Sequence, residues 1–538
     1  MDMPESLQRA MHHLQSGRPA DTLQVCNAIL AEHPGMIQAH YLRGCAAFEI
    51  GAIEQSVSDL EIVHDNYPEH FYAAYYLGRA LRTAGRLEEA LQPLRAALAE
   101  DDLVVRAHYD IAVCLAGLRR RPDAIEHYEA ILAMQPGNSQ VAANMASLLE
   151  RENRLEAAAA WTEKALSTDP GNEVARMTRA TLDRRSGKYA DAAESFRSLI
   201  LSTANPVNRS IAWNQLGQCL EGQEKWGEAF DAFSESNQVL MKHHEDSAPD
   251  PRGPQSLQTL QRIDEWLRGE PIADWVVPAT PDDGGIAFLV GFPRSGTTLL
   301  DRMLSRHPKI EVLEEKSLFS GLHQDWSAAG TLEALTHASD AQIIDARDIY
   351  RREMSRHRRS ERESLVIDKL PLNLNYLFLI YRLFPDAPII FLLRHPVDVC
   401  ISCFFQAFEL QASMAYFLDL GQTARYYDAA MRVASMSMSQ IGSPMHRLRY
   451  EDLVVEPDKQ VNGLFRFLGV EAQDADLQYC RQATDETSNT PSYQQVSQPL
   501  HARSVGKWRH YARQLDSILP VLRPWVERFG YQGAKFCN

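Results

Sequence analysis

Residues Gly291-Phe292-Pro293-Arg294-Ser295-Gly296-Thr297-Thr298 gather two glycines, a cation and three hydroxyls in one short segment. The segment follows an apolar run, Gly285-Ile286-Ala287-Phe288-Leu289-Val290, and opens an amphipathic stretch from Thr297 to Arg306. Strand, glycine loop and helix, in that order, make a phosphate-binding site. Glycine lets the backbone bend until successive N–H groups point inward, and the helix N-terminus adds partial positive charge. The nucleoside triphosphatase version of this loop has Lys after the second Gly. Here Thr297 stands at that place, and the cation is Arg294. The loop is therefore suited to a phosphate-like group other than a Mg-bound triphosphate.

The elements around the loop follow from the downstream pattern. Pro388-Ile389-Ile390-Phe391-Leu392-Leu393-Arg394 reads as a buried strand that ends in a cation, and Leu365-Val366-Ile367-Asp368 reads as another. Apolar strand-like runs alternate with helical patterns from residue 285 onward, which predicts an α/β domain, P-loop-like, with a central parallel sheet. Ligands of such sheets bind beyond the carboxyl ends of the strands. The loop at 291–298, Lys369 and Arg394 all belong to that edge.

With these residues the second half of the chain, roughly 285–532, resembles sulfotransferases that use 3′-phosphoadenosine 5′-phosphosulfate (PAPS), and among them the tyrosylprotein sulfotransferases. The resemblance assigns the loop Pro293-Arg294-Ser295-Gly296-Thr297-Thr298 to the 5′-phosphosulfate. In Leu313-Glu314-Glu315-Lys316 it makes Glu315 the general base. In Asp368-Lys369-Leu370-Pro371 it makes Lys369 a contact of the reacting group. Arg394 and Ser402 would hold the 3′-phosphate, and Tyr450 would touch the cofactor. In the tail Ser492…Pro499…Lys507-Trp508, Ser492 would reach the sulfuryl group and Lys507 the phosphate end.

Sulfuryl transfer, like phosphoryl transfer, is an in-line displacement in which the enzyme positions groups and stabilises charge. An acceptor hydroxyl is a poor nucleophile at neutral pH, so a carboxylate such as Glu315 can take its proton. Charge growing on the leaving oxygen can be met by Arg294, Lys369 and the loop N–H groups. The guanidinium fork of Arg294 suits a phosphate. The cations are side chains, so no metal is expected. The products would be the sulfated acceptor and 3′-phosphoadenosine 5′-phosphate (PAP).

The first half is a repeat array. Gly44, Gly78, Ala112, Ala146 and Ala180 recur every 34 residues, as do Ser56, Ala90, Ala124, Ala158 and Ala192. Pro34, Pro68, Pro136 and Pro170 keep the same register. This is the tetratricopeptide period, one helix–turn–helix per repeat. Small residues stand where two helices cross closely, and Pro ends the second helix. A degenerate first repeat starts near residue 3 with Ala10. A last one, shifted by three residues, carries Gly217 and Ala229, giving about seven repeats. The expected organisation is an α-helical solenoid over 3–243, a linker over 244–283 rich in Pro and polar residues, and the α/β domain over 284–538.

The balance of 55 basic and 71 acidic residues, net −16, argues against nucleic-acid binding. The eight cysteines are scattered and read as reduced, buried thiols. The sequence has no basic-then-apolar leader pattern and no apolar run of membrane-spanning length, so a cytoplasmic location without membrane contact is expected. The resembled enzymes are membrane-anchored and lumenal, and this sequence departs from them there. His307 is expected as a capping or surface residue at a helix end, and His395 as a buried structural one.

The expected activity is sulfuryl transfer from PAPS to a hydroxyl, on a protein or peptide recruited by the repeats, with tyrosine favoured by the resemblance. A small-molecule or glycan acceptor is the alternative. A P-loop kinase is disfavoured by the missing Lys after Gly296. A binding module with an inactive catalytic half is disfavoured because every expected cation is present. Oligomeric state is not legible.

Overall fold

The computed structural model describes residues 3–243, 255–269, 272, 275, 285–319, 331–358, 364–408, 413–471 and 504–532. Seven consecutive helix pairs run from Met3–Gln15 to Trp226–His243. The small-residue series lies inside these pairs. A Cβ on Gly44 would come within 2.7 Å of Leu60, and one on Gly78 within 2.4 Å of Leu94. Ser56 donates its hydroxyl to the Gly44 carbonyl at 2.8 Å, and Thr22 makes the same bond to Ala10 one period earlier. The degenerate first repeat is thus a helix pair like its successors.

The turn inside each pair needs a left-handed residue. Gly17, Gly51, Gly85 and Gly187 supply it, with φ between +68 and +82°. Arg119 and Asn153 take the same conformation at the intervening positions of the 34-residue period, at φ +63 and +57°.

The chain forms two compact units, Met1–Leu182 and Asp183–Asn538. The change from helices to α/β structure comes later, near residue 243, so the last helices of the array belong with the sheet. Within the second unit the helices Pro206–Gly222 and Trp226–His243 pack on the end of the helix Pro396–Phe404. Phe233 stacks on Phe405 at 4.1 Å between ring centres. Asn214 and Asn237 donate to the carbonyls of Phe405 and Phe404 at 2.8 and 2.9 Å, satisfying acceptors that a helix C-terminus leaves open. Part of the expected linker is also ordered: the helix Leu257–Gly269 buries Leu260, Ile263 and Leu267.

Among the described residues the sheet has five parallel strands: β1 Ile286–Gly291, β2 Ile310–Glu314, β3 Leu365–Lys369, β4 Ile389–Leu393 and β5 Met445–Arg449. Their order is β2-β3-β1-β4-β5. The chain leaves β1 for β2 and β3 on one side and then crosses to β4 and β5 on the other. The carboxyl end of β1 is therefore the switch point where such sheets take ligands. Alternation sets the two faces: Ala287, Leu289, Ile367, Ile390 and Leu392 share one core cluster with Leu300 and Leu304. On the opposite face Phe288 packs against Phe319, Tyr350 and Phe384.

Candidate active site

β1 ends at Gly291, where a Cβ would lie 2.6 Å from the Leu392 carbonyl oxygen, so only glycine allows β1 and β4 to approach this closely. The loop then closes on itself: Ser295 N–H donates to Phe292 O at 3.1 Å, and the Ser295 hydroxyl bonds the same oxygen. Gly296, at φ +103°, begins the helix Thr297–Leu304. A Cβ there would strike the Tyr450 ring at 2.4 Å, so the ring of Tyr450 closes one side of the loop.

Among the described residues of this domain two non-glycine residues hold a left-handed backbone, Arg294 at φ +70° and Glu315 at φ +51°. Such conformations cost energy and persist where the surroundings enforce them. Both are residues that the sequence assigns to chemistry. The β2–β3 register places Glu314 beside Lys369, and Glu315 N–H donates to Lys369 O at 2.8 Å. The strained turn after β2 thereby sends the Glu315 side chain to the Lys369 ammonium.

Lys369 has no exposed side-chain surface. Its Nζ lies 3.3 Å from Glu315 Oε1, 3.5 Å from Glu314 Oε1 and 3.5 Å from Asp301 Oδ2. Burial alone would lower the ammonium's pKa, but Glu315, Asp301 and Glu314 outweigh it and hold the group above its ordinary value. The three carboxylates differ in reach: Glu315 keeps 37% of its side chain exposed, Glu314 24% and Asp301 11%. Glu315 is thus the one best placed to meet an acceptor arriving from solvent.

The second cationic group surrounds Arg294. Its Nε donates to Ser402 Oγ at 3.1 Å, from the helix Pro396–Phe404. Arg394, one residue past β4, donates to Arg294 O at 2.9 Å and to Ser504 O at 2.7 Å, and its guanidinium lies 4.9 Å from the centre of the Tyr450 ring. The Nε of Arg394 is buried and has no acceptor among the described residues. Burial lowers the Arg294 guanidinium to about 10, and neighbouring Arg394 adds to this. Two close guanidiniums, one with an unused buried donor, form a site that an anion would stabilise.

The family resemblance assigns Arg294 to one phosphate end of the donor and Arg394 with Ser402 to the other. The fold brings Ser402 and Arg394 each into contact with Arg294. Pro293 joins them through its carbonyl, which accepts from the Cys403 thiol at 3.4 Å. Thr297 and Thr298 begin the helix, buried. Lys507 places its Nζ 2.6 Å from Glu221 Oε1, on the helix Pro206–Gly222, and 5.6 Å from the centre of the Phe405 ring. Ser492 lies outside the described residues.

His307 differs from its expected surface role. It is 2% exposed, accepts from Lys309 N–H at Nδ1, and is left to donate from Nε2 to Glu471 O at 2.8 Å. Its ring packs against Phe465, with 5.0 Å between ring centres. His395 stacks on Trp508 at 5.4 Å, and burial pushes its imidazole down to about 4.

Three residues of the site have no motif in the sequence reading. Asp301 follows Thr297 by four residues, a helical spacing that would have placed it one turn into the loop helix. Asp398 is fully buried and accepts from Gly506 and Trp508 N–H at 2.7 and 2.9 Å, which fixes the segment bearing Ser504 and Lys507. Glu221 is nearly three hundred residues from its partners, and no local signal points to it.

Residues 287–474 match the sulfotransferase family. Residues 41–105, 109–173 and 177–236 match the tetratricopeptide repeat. The sulfotransferase-family segment contains Arg294, Glu315, Lys369, Arg394, Ser402 and Tyr450 and ends before Lys507. An uncharacterised protein of Aquifex aeolicus is 26% identical over 343 residues, covering 61% of this chain and 43% of its own length. Protein-tyrosine sulfotransferase 2 of Gallus gallus is 24% identical over 275 residues, covering 46% and 69%. The nodulation protein NoeE of Sinorhizobium fredii is 27% identical over 208 residues, covering 34% and 50%. The chain therefore spans between 43% and 69% of the length of these relatives. Among solved structures, a tetratricopeptide repeat protein from Parabacteroides merdae aligns over 44% of this chain and 92% of its own, at 14% identity and a TM-score of 0.38. Among the described residues no helix is long and apolar enough to cross a membrane.

Proposed function

We propose that this chain is a PAPS-dependent sulfotransferase acting on a hydroxyl of a protein or peptide, with tyrosine as the favoured acceptor. The observation that carries the reading is the convergence of Arg294, Lys369, Glu315, Arg394 and Ser402 at the carboxyl edge of one parallel sheet, around a glycine loop without the triphosphatase Lys. Similarity to protein-tyrosine sulfotransferases supports the acceptor class.

The donor supplies an activated sulfuryl group: its sulfur–oxygen bond to the 5′-phosphate breaks as the acceptor oxygen–sulfur bond forms, and PAP leaves. The residues of this chain do the rest. Arg294, the loop N–H groups and the first turn of the helix Thr297–Leu304 hold the 5′ end. Arg394 and Ser402 hold the 3′-phosphate, which separates this donor from ATP. Lys369 neutralises charge growing on the leaving oxygen. Glu315 takes the acceptor proton, being the most exposed carboxylate beside the ammonium. The repeats offer a surface for the acceptor protein.

The test is incubation with labelled PAPS and a cell lysate, followed by identification of the sulfated species. Wild-type protein should label polypeptide tyrosines, and Glu315→Gln should lower kcat by roughly 10²-fold or more. Glu315→Gln turning over within about threefold of wild type would remove the base assignment. Label appearing only on small molecules or glycans would overturn the acceptor class.

A further inference from the structure

We propose that Asp301 is a positioning residue for Lys369: together with Glu314 it holds the ammonium in place so that Glu315 can leave it for the acceptor hydroxyl. The inference rests on the reading of Glu315 as base. It starts from a difficulty in that reading. In the structure Glu315 is the nearest carboxylate to Lys369, at 3.3 Å. A carboxylate that accepts a proton loses its charge, and a fully buried ammonium would then lose its nearest counter-ion at the moment it is needed.

Asp301 and Glu314 resolve this. An ammonium carries three donors, and three carboxylates surround this one, each within 3.5 Å. Asp301 approaches from the helix Thr297–Leu304, and Glu314 and Glu315 from the end of β2. Asp368, the neighbour of Lys369 in β3, is bound instead by Tyr350 and Asn373. Asp301 itself is fixed by the Ser305 hydroxyl, which donates to its other oxygen at 2.9 Å. With 11% of its side chain exposed it cannot meet an acceptor, so its oxygen is committed to the lysine. Burial raises the Asp301 carboxyl and Lys369 pulls it down, which makes the pair mutually dependent.

The arrangement assigns two kinds of carboxylate to one cation. The mobile one exchanges between Lys369 and the acceptor. The fixed ones keep Lys369 charged and aimed. Loss of Asp301 should therefore weaken the lysine's hold on its proton without removing the base.

The experiment compares full-length wild type, Asp301→Asn and Asp301→Glu. Calorimetric titration of PAP and thermal melting at pH 7 check folding. In pH–rate profiles Asp301→Asn should lose roughly tenfold in kcat, with the alkaline limb moved down by about one pH unit. Asp301→Glu should restore both to within about threefold of wild type. Melting above pH 8 gives a readout without catalysis. A lysine with a raised folded pKa adds stability that is present below its unfolded value, about 10.5, and is lost as pH climbs through the folded value. Asp301→Asn should lack part of that stability below about pH 10 and complete its loss at lower pH than wild type, giving a shallower decline at alkaline pH. If wild type transfers nothing from PAPS, the functional reading fails while the melting comparison still tests the Asp301–Lys369 link. Superimposable pH–rate and pH–melting curves for wild type and Asp301→Asn would overturn the proposal, as would an Asp301→Glu variant no better than Asp301→Asn.

Discussion

Lys507 and Glu221 form an ion pair, Nζ to Oε1 at 2.6 Å, between the tail of the catalytic half and a helix of the last repeat. The same Glu221 oxygen accepts from the Tyr511 hydroxyl at 2.5 Å, and Trp226 of that repeat stacks on His510 at 4.0 Å. The tail carries Ser504, whose carbonyl holds Arg394. The last repeat is thus part of the support of the anion site. Glu221→Gln should destabilise the protein by about 1–3 kcal/mol, since one mostly buried carboxylate serves two donors. Urea unfolding reads this, and an unchanged midpoint would refute the anchoring role.

Gly296 allows the loop to pass beneath Tyr450. Gly296→Ala adds a methyl 2.4 Å from the ring at a backbone angle of φ +103°. It should weaken PAP binding by roughly tenfold or more and destabilise by about 1–3 kcal/mol. Adding Tyr450→Ala should relieve the clash and recover only part of the loss, because the backbone strain remains. Full recovery in the double variant would show that the contact, not the dihedral angle, dictates glycine here.

Arg394 has a buried Nε without an acceptor among the described residues. Arg394→Ala should weaken PAP far more than adenosine 5′-phosphate, by roughly tenfold in the ratio of their dissociation constants. Calorimetry with both ligands measures the ratio. Equal losses would remove the 3′-phosphate assignment.

Asp368 and His395 act in opposite directions on stability. Burial pushes the Asp368 carboxyl up to about 7, against its hydrogen bonds from Tyr350 and Asn373 and the charge of Lys369. Its contribution is complete below the unfolded value near 4 and is lost as pH rises through about 7. His395 is pushed down to about 4, so its contribution is present above about 6.5 and is lost as pH falls. Asp368→Asn keeps an oxygen for both donors and removes the first effect. Its melting temperature should therefore rise more steeply with pH, between about 4 and 7, than that of wild type. Parallel curves would mean that Asp368 is ionised in the folded protein.

The repeats were legible because a 34-residue period forces small residues into fixed places, and helix crossings leave room for nothing larger. The central strands were legible for a similar reason: β1 and β4 are covered on both faces and read as unbroken apolar runs, and β3 opens with the apolar Leu365-Val366-Ile367. β2 and β5 were not identified. As edge strands they mix buried with half-exposed positions, and Met445-His446-Arg447-Leu448-Arg449 has no apolar signature. His307 looked like a surface residue because its partners are backbone groups, which no side-chain pattern reveals.

The sequence by itself determined the glycines of the loop and the cations at the strand ends, which follow from residue type and local spacing, while the candidate base Glu315 rested on the family resemblance. Tertiary structure alone decided which of them meet. It joined Arg294 to Ser402 and Arg394, surrounded Lys369 with three carboxylates, and gave Lys507 to Glu221. Those contacts link segments about 50 to 290 residues apart. They exist only because strand order and helix packing bring distant side chains together, a relation that neither periodicity nor local propensity encodes.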